Sequence, residues 1–186
     1  MGNPTAYDGQ SYNWQKGRQL AGITNTNGQP GISYAYDASG RRISKTVGSV
    51  TTNYTYAGGL LVRQSDGTNT LDFAYDASGT AVGFKHNGTP YFYLRNVQGD
   101  VTGITNASGV IVAEYTYDAW GNVLTATGAF AQINPIRYRG YYYDTETSWY
   151  WLQTRYYVPQ WRRFLNADSL FIAGNPLTAS NMYAYW

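Results

Sequence analysis

The side chains best suited to chemistry crowd into one stretch, RYRGYYYDTETSWYWLQTRYYVPQWRRFLNAD, residues 137–168. Trp149, Trp151 and Trp161 with Tyr141, Tyr143, Tyr150 and Tyr156 supply flat rings that can stack on a sugar or a base. Arg137, Arg139, Arg155, Arg162 and Arg163 supply planar cations. Three readings fit: a ligand-binding face, the remains of a catalytic site, or the packed seam of a β-structure. In a strand, period-two alternation buries half of such rings against a sheet, and arginine stacks on the rest, so seam packing is the first expectation. A binding platform of Trp149, Trp151, Trp161, Tyr141 and Tyr143, with a glycan as its ligand, is the second.

Other site chemistries find less material. With no cysteine in the chain, disulfides, thiolate ligands and thiol nucleophiles are excluded. The single His86, in KHNGTP, reads as an exposed turn residue rather than a metal ligand, having no second His or Cys to join it. Ser39, Ser78 and Ser108 lie in turn motifs and offer no Ser-His-Asp register. Asp37, Asp76, Asp118 and Asp144 are spaced rather than clustered as in a calcium loop, so turn capping is expected of each. Neither phosphate-binding glycine motif occurs, and the expectation is no metal and no cofactor. Asn53, Asn87 and Asn106 open N-x-[ST] sequons, which matter only in a eukaryotic secretory setting.

The elements that would position these residues follow from composition and repetition. The 186 residues fit one domain, and a formal charge of +2 gives no global field to attract nucleic acid or a membrane surface. No apolar run approaches a membrane span, and MGNPTAYDGQSYNW has neither the basic nor the apolar part of a signal peptide, so export would rest on a carrier or a larger parent chain. Charged residues are only 13%, whereas Tyr occupies 20 positions and Gly 21, a combination suited to strands and tight turns.

YAYDASG (34–40), FAYDASG (73–79) and YTYDAWG (115–121) are copies of one unit, with YTYAGG (54–59) and YFYLRNVQG (91–99) as degenerate copies between them. The closing glycines, at 40, 59, 79, 99 and 121, recur about every twenty residues. In each unit an alternating aromatic pair puts two rings on one strand face, and Asp-Ala-Ser-Gly supplies the turn. A second strand follows, as in RRISKTV (41–47) or TAVGFKH (80–86). Asn27-Gly28 and Asn87-Gly88 mark further reversals. A lone hairpin is marginal in water, so the units must share a sheet and stack their aromatic faces. The predicted fold is all-β, an extended or spiralling antiparallel sheet of hairpins, with one short helical turn near Leu170–Ser180.

These repeats, followed by NPIRYRGYYYDTETSWYWLQTRYYVPQWRRFLNADS, resemble the RHS/YD-repeat family and its RHS repeat-associated core domain over nearly the whole chain. The resemblance implies degenerate YD repeats over residues 1–132 and a truncated core segment over 133–186, continuous with the same sheet. It further implies an end cap of a β-shell that in bacterial members encloses a C-terminal toxin, a secreted or cell-surface setting, and a parent shell or toxin domain as partner. The resemblance also implies that cores of this type can act as aspartyl autoproteases. The resemblance places the catalytic arginine at Arg155 and one catalytic aspartate at Asp168, with the partner carboxylate expected after NMYAY, where this chain stops at Trp186. A dyad needs both carboxyls, so Arg155 and Asp168 are expected to be vestigial and joined as an ion pair. Where the family pattern favours Gly, Asp and Gly, this chain has Ser148, Val158 and Arg162, so residues 148 and 162 would be strained if those turns need positive φ. The functional expectation is a non-catalytic structural module that self-associates through strand edges, with no nucleic-acid partner, a glycan- or surface-binding module being the alternative and residual autoprotease activity a third possibility.

Overall fold

The structure is a computed structural model and describes residues 3–25, 28–167 and 183–185. The helical turn expected near 170–180, and Asn27 of the first Asn-Gly reversal, lie outside the described residues.

One antiparallel sheet takes up most of the chain. Its strands are β1 (Ala6–Tyr7), β2 (Gln10–Gln15), β3 (Gln19–Asn25), β4 (Ile32–Tyr36), β5 (Arg42–Val47), β6 (Val50–Ala57), β7 (Leu60–Ser65), β8 (Thr70–Tyr75), β9 (Ala81–His86), β10 (Thr89–Arg95), β11 (Val101–Asn106), β12 (Ile111–Tyr117) and β13 (Val123–Thr127), each bonded to the next in chain order. The all-β antiparallel expectation therefore holds.

The repeat has a precise local chemistry. Asp76 Oδ1 accepts the backbone N–H of Ser78 and of Thr80, each at 2.9 Å, while Gly79 takes φ 81° and donates its N–H to the Asp76 carbonyl. Asp118 Oδ1 does the same for Trp120 and Asn122, as does Asn96 Oδ1 for Gln98 and Asp100. The residue just before the turn has a second task. The hydroxyls of Tyr36, Tyr56, Tyr75 and Tyr117 donate to the carbonyls of Leu20, Arg42, Leu61 and Val101, at or next to the start of the neighbouring strand. In the degenerate unit Arg95 fills this place, its Nη2 reaching the Ala81 carbonyl at 2.7 Å. Each hairpin is thus tied to the preceding strand by a side chain as well as by its ladder.

A second, four-stranded sheet comprises β14 (Tyr142–Asp144), β15 (Trp149–Leu152), β16 (Arg155–Val158) and β17 (Arg163–Phe164). This corrects the expectation that residues 133–186 continue the first sheet. The chain leaves the first sheet at Gly128, whose φ of 94° and close approach to the Val112 carbonyl admit no side chain. It then turns onto the sheet's inner face, where Phe130 meets the Tyr91 ring with centroids 4.1 Å apart. Asn134, fully buried, accepts from Tyr93 Oη and donates to the Ile136 carbonyl.

The small sheet is covered on both faces. Trp149, Trp151, Tyr156 and Val158 join the core formed by Tyr12, Tyr34, Tyr54, Phe73 and Phe84 of the large sheet. On the opposite face Tyr150 and Tyr157 pack with Tyr138 and Phe164. Tyr138, Tyr150 and Tyr157 donate their hydroxyls to the carbonyls of Ala119, Gly121 and Trp120, so the β12–β13 turn lies against this second face. Period-two alternation was expected to bury half of the rings; here both halves are buried because the large sheet reaches both sides.

Replacing Tyr75 with Phe should lower stability by about 1–2 kcal/mol, since the Leu61 carbonyl loses its side-chain donor while the ring stays in place. Equilibrium denaturation measures the difference, and an unchanged midpoint would show that the hydroxyl tie contributes nothing.

Candidate functional site

The centre of the interface between the sheets is ionic. Arg42 follows the first Asp-Ala-Ser-Gly turn at the start of β5, where the pairing register shifts between Tyr36↔Arg42 and Ala35↔Ser44. Through that bulge Arg42 and Lys45, three residues apart, both point into the core, while Ile43 stays exposed. Asp144, at the end of β14, meets them. Arg42 Nη1 donates to Asp144 Oδ2 at 2.6 Å and Nη2 to Oδ1 at 3.1 Å; Lys45 Nζ donates to Asp144 Oδ1 at 2.8 Å and to Glu146 Oε2 at 2.9 Å. Arg42 and Asp144 have no exposed surface. Five rings surround the guanidinium, those of Tyr34, Tyr54, Tyr142, Trp151 and Tyr156, with Trp151 nearest at 4.4 Å from its central carbon.

Electrostatics keep the cluster charged. Burial alone would raise the Asp144 carboxyl, but the Arg42 and Lys45 charges outweigh it and hold the group below its usual value of 3.8. Burial would likewise lower Lys45, and the Asp144 charge reverses that. Burial pushes up the phenols of Tyr34 and Tyr142. Two cations and two carboxylates compensate one another, which is the condition for keeping charge in such a place. The arrangement fastens two sheets.

The remaining expected site residues are dispersed. Trp149 and Trp151 are 5% and 4% exposed, so neither offers a ring face to a ligand, and the five-residue platform is not assembled. Trp161 sets its edge on Tyr7, with centroids 4.6 Å apart, and Tyr143 lies under the Arg137 guanidinium at 4.3 Å. Tyr141 is partly buried against Tyr150. The Arg155 guanidinium carbon lies 3.6 Å from the Phe164 ring centroid, whereas Asp168, and with it the expected ion pair, falls outside the described residues.

Two single-residue expectations change. His86 is partly buried rather than exposed, its Nε2 3.0 Å from Asn69 Oδ1 and its ring edge-on to Phe130, because the chain after β13 folds back over the hairpin tip. Asp37, Asp76 and Asp118 accept turn N–H groups, but the Asp144 carboxylate is taken by Arg42 and Lys45, and only its carbonyl serves the turn to Ser148. A residue missed altogether is Asn166. It is fully buried, accepts from the Tyr156 N–H at 3.0 Å and donates to the Thr154 and Arg18 carbonyls. Ser148 and Arg162 do take positive φ, 59° and 55°, while Val158 is extended and buried. Among the described residues, no three His, Asp or Glu side chains converge as metal ligands would.

Replacing Asp144 with Asn leaves two buried cations facing a neutral amide and should cost about 3–5 kcal/mol. Because the folded carboxyl titrates below 3.8, its contribution is complete above that value and is lost as pH falls through the folded one. Denaturation curves of the two proteins should therefore converge in strong acid; a constant gap would assign the loss to packing. A second substitution tests the strained turn: Ser148→Gly should raise stability by about 0.5–1 kcal/mol in thermal unfolding. Arg162→Gly should gain less, because it removes the guanidinium stacked 5.0 Å from the Trp120 ring.

Comparison with known proteins places this architecture. The family model described as Teneurin YD-shell matches residues 6–185. The tRNA3(Ser)-specific nuclease WapA of Bacillus spizizenii is 39% identical over an alignment covering 99% of this chain and 8% of that protein. The tRNA nuclease WapA of Bacillus subtilis strain 168 is 38% identical over the same shares. The toxin protein Tse5 of Pseudomonas aeruginosa is 38% identical across 37% of this chain and 5% of its own. This chain thus spans 8% of the length of the WapA relatives. Among solved structures, the crystal structure of TcdB2-TccC3-Cdc42 superposes with a TM-score of 0.71 at 22% identity, over 95% of this chain and 9% of that one. A Photorhabdus luminescens Tc holotoxin pore gives 0.69 at 18% identity, over 97% and 10%. At such identities the likeness shows a shared fold. With the family match running nearly end to end and the tyrosine-aspartate hairpins joined into one sheet, the chain belongs to the Teneurin YD-shell family.

Proposed function

We propose that this chain is a non-catalytic structural segment of a toxin-enclosing shell, serving as the end at which the repeat sheet closes over a small second sheet. The observation that carries the reading is the double enclosure of β15 and β16, whose Tyr150 and Tyr157 have no exposed surface although they point away from the main core. A wall that folds around its own terminal sheet is suited to sealing one end of a compartment. The named relatives are toxins and nucleases many times longer than this chain, which supports a parent polypeptide whose other parts complete the compartment and supply the enclosed domain.

In this reading Arg155 serves packing against Phe164 rather than peptide cleavage. The name tRNA nuclease lends no support to the expectation that nucleic acid is not a partner; in this reading any tRNA contact belongs to parts of the parent polypeptide beyond this segment, which spans 8% of that relative. Among the described residues no helix is long and apolar enough to cross a membrane, and an extracellular setting is inferred from the toxin relatives alone. A strand edge left open by the sheets carries self-association.

Hydrogen exchange on the purified chain tests the closure. Amides of β15 and β16 should exchange as slowly as those of β8–β11, through global unfolding only. Rapid exchange confined to 142–164 would make the small sheet a loose appendage and sink the reading. Incubation with tRNA should leave both the RNA and the mass of the chain unchanged; cleavage of either that disappears in Arg155→Ala would make the module an enzyme.

A further inference from the structure

We propose that β13, VLTAT, is a homodimerisation edge, pairing antiparallel with β13 of a second copy of this chain. The inference deepens the self-association named above and rests on it only in assigning that association to one strand.

The two sheets have four edges, and the fold treats them differently. At β14 the edge is taken by residues 135–137: the Tyr143 N–H donates to the Pro135 carbonyl at 2.7 Å, the Arg137 N–H donates to the Tyr141 carbonyl at 3.0 Å, and Ile136 bridges Tyr142. At β17 the Phe164 N–H donates to the Tyr183 carbonyl at 2.9 Å and Arg163 bridges Ala184. At β1 the strand is two residues long and follows Pro4, which has no N–H and whose carbonyl accepts from Trp14 Nε1 at 2.7 Å. Short length, proline and self-coverage are the ordinary means of blunting an edge.

β13 has none of these three; it carries only a bulge at Leu124, between the pairs Tyr117↔Val123 and Thr116↔Thr125. It is five residues long, contains no charge and no proline, and pairs with β12 alone among the described residues. Leu124 is 63% exposed on it. An uncharged, β-branched edge of this length is a template for another strand.

The choice of a second copy follows from the asymmetry. With one open edge among the described residues, like meets like; a twofold contact consumes both edges and closes at two copies, whereas a head-to-tail contact would need a second open edge and would form fibres. The strand also suits such pairing. Thr125 faces the outer surface, where its Oγ1 lies 2.7 Å from Thr116 Oγ1, so a twofold axis at Thr125 brings threonine to threonine. The same register opposes no like charges.

Because the chain has no cysteine, a single introduced one reports the contact without interference. Oxidised Thr125→Cys should run as a covalent dimer, whereas Thr51→Cys, also exposed but on β6, should not. Sedimentation of the unmodified chain should show dimer rising with concentration. The pair Leu124→Lys and Thr127→Lys, with circular dichroism matching that of the parent chain, should weaken association by about tenfold or more. A chain that stays monomeric at its highest soluble concentration, or a dimer indifferent to both lysines, overturns the assignment. Those outcomes leave the hydrogen-exchange protection of β15 and β16 untouched, so the failure of the edge and the failure of the closed module are read separately.

Discussion

The architecture depends on one desolvated pair, the Arg42 guanidinium against the Asp144 carboxylate. Such a pair adds little net stability over apolar residues of similar volume, because removing two charges from water offsets most of their attraction. Its stronger effect is selective. A planar fork that must meet both carboxylate oxygens, at 2.6 and 3.1 Å, tolerates only one placement of β14 against β5. Aromatic contacts around it are less demanding, since rings of similar size can slide against one another at modest cost. The pair therefore serves to fix register between two sheets that share no strand pairing, while Tyr54, Tyr142 and Trp151 contribute the buried area.

The long sheet earns its regularity from a second constraint, the pre-turn side chain that reaches the preceding strand. Sheets of many strands twist progressively, and cumulative error in twist would misplace distant elements such as β5 and β12. A tyrosine hydroxyl bonded to the same kind of carbonyl in successive units holds the bulge at each hairpin end in one geometry. Arg95 shows that a long donor, not the ring as such, is what this place requires. The YD motif thus contains two separate functions: tyrosine ties neighbouring strands and aspartate closes the turn.

The hairpins were legible because their signals are local. Tyr34 and Tyr36, or Phe73 and Tyr75, alternate visibly, and Asp-Ala-Ser-Gly has few structural uses besides a turn. Arg42 and Lys45 were not legible as a core pair, since three-residue spacing in a strand places side chains on opposite faces unless a bulge intervenes, and the bulge leaves no mark in RRISKTV. Asp144 looked like the other YD aspartates for the same reason: its distinguishing feature is a partner 102 residues earlier in the chain. The fate of Trp149 and Trp151 was half legible. Alternation separated them correctly from Tyr150, but only the path of the chain after Gly128 determines that both faces are covered. Ser148 and Arg162 were recognisable as misfits by resemblance, and their positive φ explains why glycine suits those places.

Closure of the inner sheet and exposure of the outer edge have a common cause. Three tyrosine hydroxyls grip consecutive carbonyls of residues 119–121, and Gly121 has φ 89° with no room for a Cβ beside the Tyr138 ring. The turn that leads into β13 is therefore held against the small sheet. Once that turn is fixed, β13 runs along β12, and its other side has no strand partner among the described residues. The next residues cannot double back to cover it, because Gly128 and Phe130 carry the chain inward to build the floor under the small sheet. Using residues 129–138 to fill the interior keeps them from shielding the edge. The fold thereby exchanges a protected edge for an enclosed second sheet.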